Sequence, residues 1–257
     1  QPDSGEQQDL FLSYRGHAAI EPRLALYCCL GRKITAVLFG LCPEAYGGEH
    51  LYMSDSIPMA RTGFDRFGLH EALLRGVDAA GFENPRPIQY ETIPAGLEGR
   101  DVLGLAQTGT GKTAAFALPL LDQLLQTQRP GPRALVLAPT RELANQIAVE
   151  IRMLARYTRV QVVTVFGGVS QRQQSSALRR RPEIVVGCPG RVLDLLNQRI
   201  LRLDQVETLV LDEADHMFDL GFLPDIRRIL SALPERRQNL LFSATMPREV
   251  RSLADNL

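Results

Sequence analysis

Residues Asp101-Val102-Leu103-Gly104-Leu105-Ala106 run directly into Gln107-Thr108-Gly109-Thr110-Gly111-Lys112-Thr113, and a helical stretch follows. The first six read as a short buried strand, and the next seven as a phosphate-binding loop. Glycines let the backbone fold tightly so that its N–H groups converge on phosphate oxygens, and the following helix adds the partial positive charge of its N-terminus. Lys112 is the residue to bridge the outer phosphates, and the Thr113 hydroxyl is offered to Mg²⁺. Ala106 stands where the general pattern has its first glycine.

Working outward, short apolar runs at residues 101–106, 134–139, 161–166, 183–188, 207–212 and 239–245 alternate with longer amphipathic segments. This alternation predicts an α/β fold: a mostly parallel sheet with helices on both faces. In the segment after the second run, Leu143, Ile147, Ile151 and Leu154 form one apolar stripe, with Glu142, Glu150 and Arg152 elsewhere on the wheel. Open parallel sheets bind ligands beyond the carboxyl ends of their strands, so the chemistry is expected just after each run.

Leu209-Val210-Leu211-Asp212-Glu213-Ala214-Asp215 ends an apolar strand in three carboxylates. Mg²⁺ would compensate their repulsion, with Asp212 holding the ion and Glu213 orienting or deprotonating the attacking water.

The two elements resemble Walker A and Walker B, and Asp212 to Asp215 spells the name of the DEAD-box RNA helicases. The resemblance runs from about Phe64 to the end of the sequence and implies a RecA-like P-loop domain that binds ATP with Mg²⁺ and contacts RNA. It assigns Thr108, Gly109, Thr110, Gly111, Lys112 and Thr113 to ATP, Lys112, Asp212 and Glu213 to catalysis, and Thr113 and Asp212 to the metal. Residues 81–89 resemble the Q motif, with Phe64 as the isolated upstream aromatic. The Gln89 amide complements the N7/N6 edge of adenine, and Phe82 suits the face of the base. Pro139, Thr140 and Arg141 resemble motif Ia, Gly167 and Gly168 the paired glycines, and Pro189, Gly190 and Arg191 motif Ib, all backbone-contacting in the family. Cys188 stands where the family usually has Thr. Ser243-Ala244-Thr245 resembles motif III, through which Ser243, Thr245 and Asp215 are expected to couple the ATP and RNA sites. Finer features around residues 166–170 and 237–243 look closest to a bacterial RhlE-like subgroup.

Composition adds exclusions. The 257 residues carry 29 basic and 29 acidic side chains, so net charge argues for no particular partner. Only Lys33 and Lys112 among the basic residues are lysines. Cys28, Cys29, Cys42 and Cys188 form no CxxC pair, which favours a reducing, cytoplasmic setting. The apolar stretch 24–42 is broken by Arg32 and Lys33 and makes a poor membrane span. Residues 1–60 lie outside the resemblance and show no sustained helical or strand period. They are expected to be a loosely packed extension or translation from a mis-assigned start upstream of Met53, with residues 61–257 as the ATP-binding domain. Nothing after Thr245 resembles the family's motifs IV to VI. The implied missing partner is the C-terminal RecA-like domain of the same protein, and the fragment is expected to be monomeric and nearly inactive. A DNA helicase and a nucleotide-gated RNA clamp that does not turn over are the competing readings; Gln89 and Glu213 weigh against them.

Overall fold

The computed structural model describes residues 24–29, 32–38, 63–127 and 129–257. Among the described residues eight strands form one sheet: β1 (Leu24–Cys29), β2 (Arg32–Leu38), β3 (Asp101–Leu105), β4 (Ala134–Leu137), β5 (Val162–Val165), β6 (Ile184–Gly187), β7 (Thr208–Leu211) and β8 (Gln238–Ser243). Their order is β1-β2-β3-β8-β7-β4-β6-β5, and every neighbouring pair is parallel except β1 with β2. All six runs expected from the sequence are strands.

Alternation along these strands builds two apolar layers. Val102, Ala134, Val136, Leu240 and Phe242 face one, and Leu103, Leu135, Leu137 and Leu241 face the other. Onto the first pack α1 (Glu71–Ala79), α2 (Pro87–Leu97), α3 (Lys112–Gln126) and α4 (Arg141–Leu154). The second is covered by α5 (Gln171–Leu178), α6 (Pro189–Asn197), α7 (Ala214–Asp219), α8 (Leu223–Leu230) and α9 (Arg248–Asp255). Ile147, Ile151 and Leu154 of the expected α4 stripe are buried, with Leu143 packed at the margin. The end of α4 lies close enough to α1 that a Cβ on Gly76 would sit 2.0 Å from the Leu154 carbonyl oxygen, so no larger residue fits there. No helix among the described residues is long and apolar enough to cross a membrane.

The reading of residues 1–60 as lacking strand character is corrected at two places. β2 runs parallel beside β3, Ile34 opposite Asp101, and β1 returns antiparallel with Cys29 opposite Arg32. The Arg32-Lys33 interruption, which broke the apolar period in sequence, falls at the start of β2, and β-branched Ile34, Thr35 and Val37 suit the strand beyond it. The rest of residues 1–60, Met53 included, lies outside the described residues.

At the amino end of the sheet a buried cation fastens three elements together. Arg133, 2% exposed, donates to the carbonyls of Leu124 (3.0 Å) and Thr127 (2.5 Å) at the end of α3 and to the Thr127 hydroxyl (2.7 Å). It also makes a two-pronged contact with Glu207, just before β7, at 2.8 and 3.2 Å. A guanidinium is suited to this because its five donors form a rigid fork. Replacing Arg133 with Met should cost about 2 kcal/mol or more in urea denaturation with an unchanged slope, chiefly because the buried carbonyls lose their donor while the half-exposed Glu207 can turn to water.

Candidate nucleotide and RNA site

The loop after β3 and the carboxylates after β7 meet at the carboxyl edge of the sheet, although β8 separates the two strands. Gly109 and Gly111 have φ of 82° and 91°, in the region open to glycine, and α3 starts at Lys112. Lys112 is 6% exposed; its Nζ donates to the Ala106 carbonyl at 3.0 Å and lies 3.9 Å from Asp212 Oδ1. Asp212 is also buried and accepts the N–H of Glu213 at 3.0 Å. Burial pushes its carboxyl up to about 6, with Glu213 and Glu150 adding to the rise and Lys112 opposing it.

Glu213 occupies the left-handed region at φ 55°, unusual for a residue with a side chain and typical of the strain stored at functional positions. It accepts from the Thr108 hydroxyl at 3.0 Å, and His216 Nδ1 lies 3.4 Å from its other oxygen. The Walker-like loop and the carboxylate loop are therefore joined directly.

β8 supplies a second link. The Ser243 carbonyl accepts from Ala106 N–H at 3.0 Å, and its hydroxyl accepts from Asp215 N–H at 3.2 Å. Thr245 donates to Asp215 Oδ2 from its amide at 2.8 Å and its hydroxyl at 2.7 Å. Burial raises the Asp215 carboxyl, but the donors from Thr245 and the contacts with Ser243 and His216 prevail and hold it below the usual range. Asp215, Ser243 and Thr245 are thus in direct contact.

Gln89 is fully buried in α2, where its Oε1 accepts from Arg86 N–H at 2.8 Å and its Nε2 donates to the Gly111 carbonyl at 3.0 Å. A Cβ on Gly111 would lie 2.6 Å from that Nε2. Each end of the amide keeps one unused capacity, an N–H and a lone pair. Phe82 is half-buried. Phe64, expected to touch the nucleotide, is instead 0% exposed behind it, edge-on to Phe82 at 6.0 Å and to Phe67 at 5.9 Å, so Phe64 backs the aromatic surface.

Two participants escaped the sequence reading. Arg86 reaches from the cap of α2 to the Gly109 carbonyl. Glu150, assigned only to the polar side of α4, lies against the start of α3: burial raises its carboxyl, and the Thr113 hydroxyl, Arg86 and the Ala114 N–H oppose the rise. The phosphate-loop pattern points to neither, since both come from other helices.

The expected RNA contacts follow β4, β6 and β5, which are neighbours, so they make one strip along the same edge. Thr140 caps α4, accepting from Leu143 N–H at 3.2 Å. The exposed Arg141 lies over the Phe166 ring, 5.5 Å from its centroid, and against Gly168, where a Cβ would meet its Nη1 at 2.5 Å. Pro139 is buried before the Thr140 cap, and Pro189, which has no N–H, and Gly190 open α6, where the Arg191 N–H is already given to the Cys188 carbonyl at 3.1 Å. Arg191 is held by Asp194 at 2.6 Å. Cys188 sits at the N-cap of α6 with no side-chain hydrogen bond to the helix. Burial first, and Glu142 second, push its thiol up to about 11, so it stays a neutral thiol where a threonine would cap. The Arg179-Arg180-Arg181 run lies at the opposite end of the sheet, before β6, away from this strip.

The donor set suits a nucleoside polyphosphate with Mg²⁺. A glycine cradle and an ammonium complement phosphates, and one buried carboxylate suits an ion that keeps water and phosphate oxygens as its other ligands. No group of three or more His, Cys, Asp or Glu among the described residues is arranged to hold a metal by itself.

Residues 86–253 match the DEAD/DEAH box helicase family model, and the chain belongs to that family. It is 50% identical over 194 residues to the DEAD-box ATP-dependent RNA helicase CshA of Bacillus cereus and 51% identical over 194 residues to the ATP-dependent RNA helicase CshA of Listeria monocytogenes. Each alignment covers 76% of this chain but 37% of the relative. Among solved structures, a DEAD box protein from the hyperthermophile Methanococcus jannaschii matches with a TM-score of 0.72 and 41% identity, over 75% of this chain and 52% of the other. The fold is therefore the RecA-like domain of a DEAD-box protein. These relatives carry the CshA name, and the finer RhlE-like expectation gains no support from them.

The folded Asp212 carboxyl, at about 6, titrates above its ordinary 3.8, so the folded chain holds this proton more tightly than the unfolded one. The stabilisation that results is complete below about pH 4 and is lost as pH rises through about 6. Asp212→Asn, neutral throughout, should raise the stability of the nucleotide-free chain by about 2 kcal/mol at about pH 8, and the gain should vanish near pH 4, as read by melting across pH.

Proposed function

We propose that this chain is the ATP-binding half of an RNA-dependent ATPase that locally separates or remodels RNA duplexes, with residues 61–257 as the nucleotide-binding unit. The observation that carries the reading is the convergence of Lys112, Asp212 and Glu213 from two separated strands onto one glycine-lined loop. Family membership and the names of the relatives support it. The chain spans 37% of the length of those relatives, and a second RecA-like domain is assigned to the remainder.

In this reading Gly109, Thr110 and Gly111 present their amides to the phosphates, and Lys112 turns from the Ala106 carbonyl to the outer phosphate oxygens. Mg²⁺, when bound, neutralises charge on those oxygens. Thr113 and Asp212 would hold it, and its charge would favour the ionised form of a carboxyl that burial otherwise protects from ionisation. Glu213 exchanges the Thr108 hydroxyl for the attacking water and orients it. Gln89 uses its spare donor and acceptor on adenine, with Phe82 against the base. Thr140, Arg141, Gly168, Gly190 and Arg191 hold RNA through backbone phosphates, which needs no base reading. Asp215, Ser243 and Thr245 tie the two sites together. The setting is cytoplasmic and the isolated chain monomeric.

Calorimetry should give binding of ADP with Mg²⁺ and weaker binding of GDP. Lys112→Ala should abolish binding of either without loss of the cooperative melt. Gln89→Ala should erase roughly tenfold discrimination between the bases, the worth of one well-placed hydrogen bond. Retained discrimination in that variant would remove Gln89 from base recognition.

The isolated chain should hydrolyse ATP near background with or without RNA, because arginines from a second domain are worth about 10³ to 10⁵ in rate in comparable phosphoryl transfers. Tethering the C-terminal domain should restore RNA-stimulated turnover, and Glu213→Gln should abolish it again. Strong RNA-stimulated hydrolysis by these 257 residues alone would refute the half-enzyme reading.

A further inference from the structure

The nucleotide and RNA residues all lie at the carboxyl ends of the strands. At the amino ends of the neighbouring strands β7, β4 and β6, a separate cleft of about 440 Å³ opens between three connections: the segments before β4, between α5 and β6, and between α6 and β7. Its aliphatic side is formed by Pro130, Pro132, Leu178 and Ile200. Arg179, Arg181 and Arg202 edge it against a single acidic residue, Asp204. That carboxylate is already paired with Arg202, at 3.3 Å. Among the described residues Arg179 and Arg181 have no acidic partner, and Arg180 and Arg199 add further positive charge in the same connections.

Two of these connections turn through arginines held at positive φ: Arg181 and Arg199, both at 56°. Glycine would be at ease at either position, and a side chain there is strained. The local turn thus does not explain why long cationic side chains stand at both. An excess of unpaired guanidinium beside an apolar recess is complementary to a chain segment carrying both acidic and bulky apolar side chains. No aromatic residue lines the cleft on which a base could stack, which separates it from single-stranded nucleic-acid grooves. Pro130 and Pro132 have no N–H to offer a phosphate.

We propose that this amino-end cleft is a docking site for an acidic peptide segment of a partner protein, a segment with one or two large aliphatic or aromatic side chains flanked by aspartates or glutamates. The apolar side chain enters between Pro130, Pro132, Leu178 and Ile200, and the carboxylates meet Arg179 and Arg181. Because the cleft lies across the full length of the strands from the nucleotide, a partner can hold the domain without covering the ATP or RNA residues. The inference is independent of the catalytic reading.

The test is fluorescence anisotropy of the 257-residue chain with a panel of labelled peptides in which Leu, Ile or Phe pairs are flanked by glutamates. Controls carry Ser in place of the apolar pair or Lys in place of the glutamates. Saturable binding of at least one acidic-apolar peptide is expected, with loss of binding in both controls. About 1 M salt, where the Debye length falls to about 3 Å, should weaken it strongly. The double variant Arg179→Glu with Arg181→Asn, the latter chosen because asparagine tolerates positive φ, should bind about tenfold more weakly, while its melt and its ADP binding stay those of the parent. Failure of the whole panel to bind saturably would overturn the proposal, as would equal binding by the double variant. A single-stranded RNA that displaces the peptide and itself binds the double variant less tightly would overturn it in favour of nucleic acid.

Discussion

A buried carboxylate facing a single buried ammonium is the constraint around which this domain is arranged. Asp212 and Lys112 are each nearly closed off from water, yet they remain 3.9 Å apart rather than in tight contact. Burial without full pairing is costly, and Asp212 registers the cost as reluctance to ionise. Such a pair is poorly explained as a stabilising ion bridge. On the proposed function it is two halves of a receptor for opposite charges, phosphate oxygens for one and a divalent cation for the other. The surrounding contacts hold these halves in register: Ser243 reaches both loops across β8, Thr108 ties the glycine loop to Glu213, and Gln89 with Arg86 braces it from α2.

The parallel sheet then divides labour between its ends. Parallel strands bring the loops that follow them to one edge, so the residues proposed for nucleotide and for RNA share a face without special provision. The opposite edge is left for fastening, and Arg133 does this by collecting the end of α3, the entry to β4 and the residue before β7 into one hydrogen-bonded knot. The basic cleft at the same edge belongs to connections that contribute none of the residues proposed for nucleotide or RNA.

Local patterns were readable in the sequence, and contacts between distant segments were not. The strands could be read because a central parallel strand is apolar on both faces, and 134–137 is wholly buried. The glycine loop could be read because positive φ leaves its mark on residue type. Burial of Phe64 was hidden because an isolated aromatic looks the same whether it touches a ligand or supports one. Glu150 looked like an ordinary solvent-facing residue of an amphipathic helix, since nothing in its own helix reveals that α3 begins beside it. β1 and β2 were missed because a charged pair at a strand start interrupts an apolar run much as a loop does.

The scarcity of lysine has a practical chemical consequence. Arginine carries nearly all the positive charge of this protein, leaving Lys112 as the one primary side-chain amine within residues 63–257. That amine is shielded from bulk water and hydrogen-bonded to a carbonyl. Acylating reagents therefore find in this region a single target, at the floor of the phosphate loop, whose modification reports on access to that floor alone. The arginine-rich surface does not compete for the reagent, so mass spectrometry can follow the loop without an engineered label.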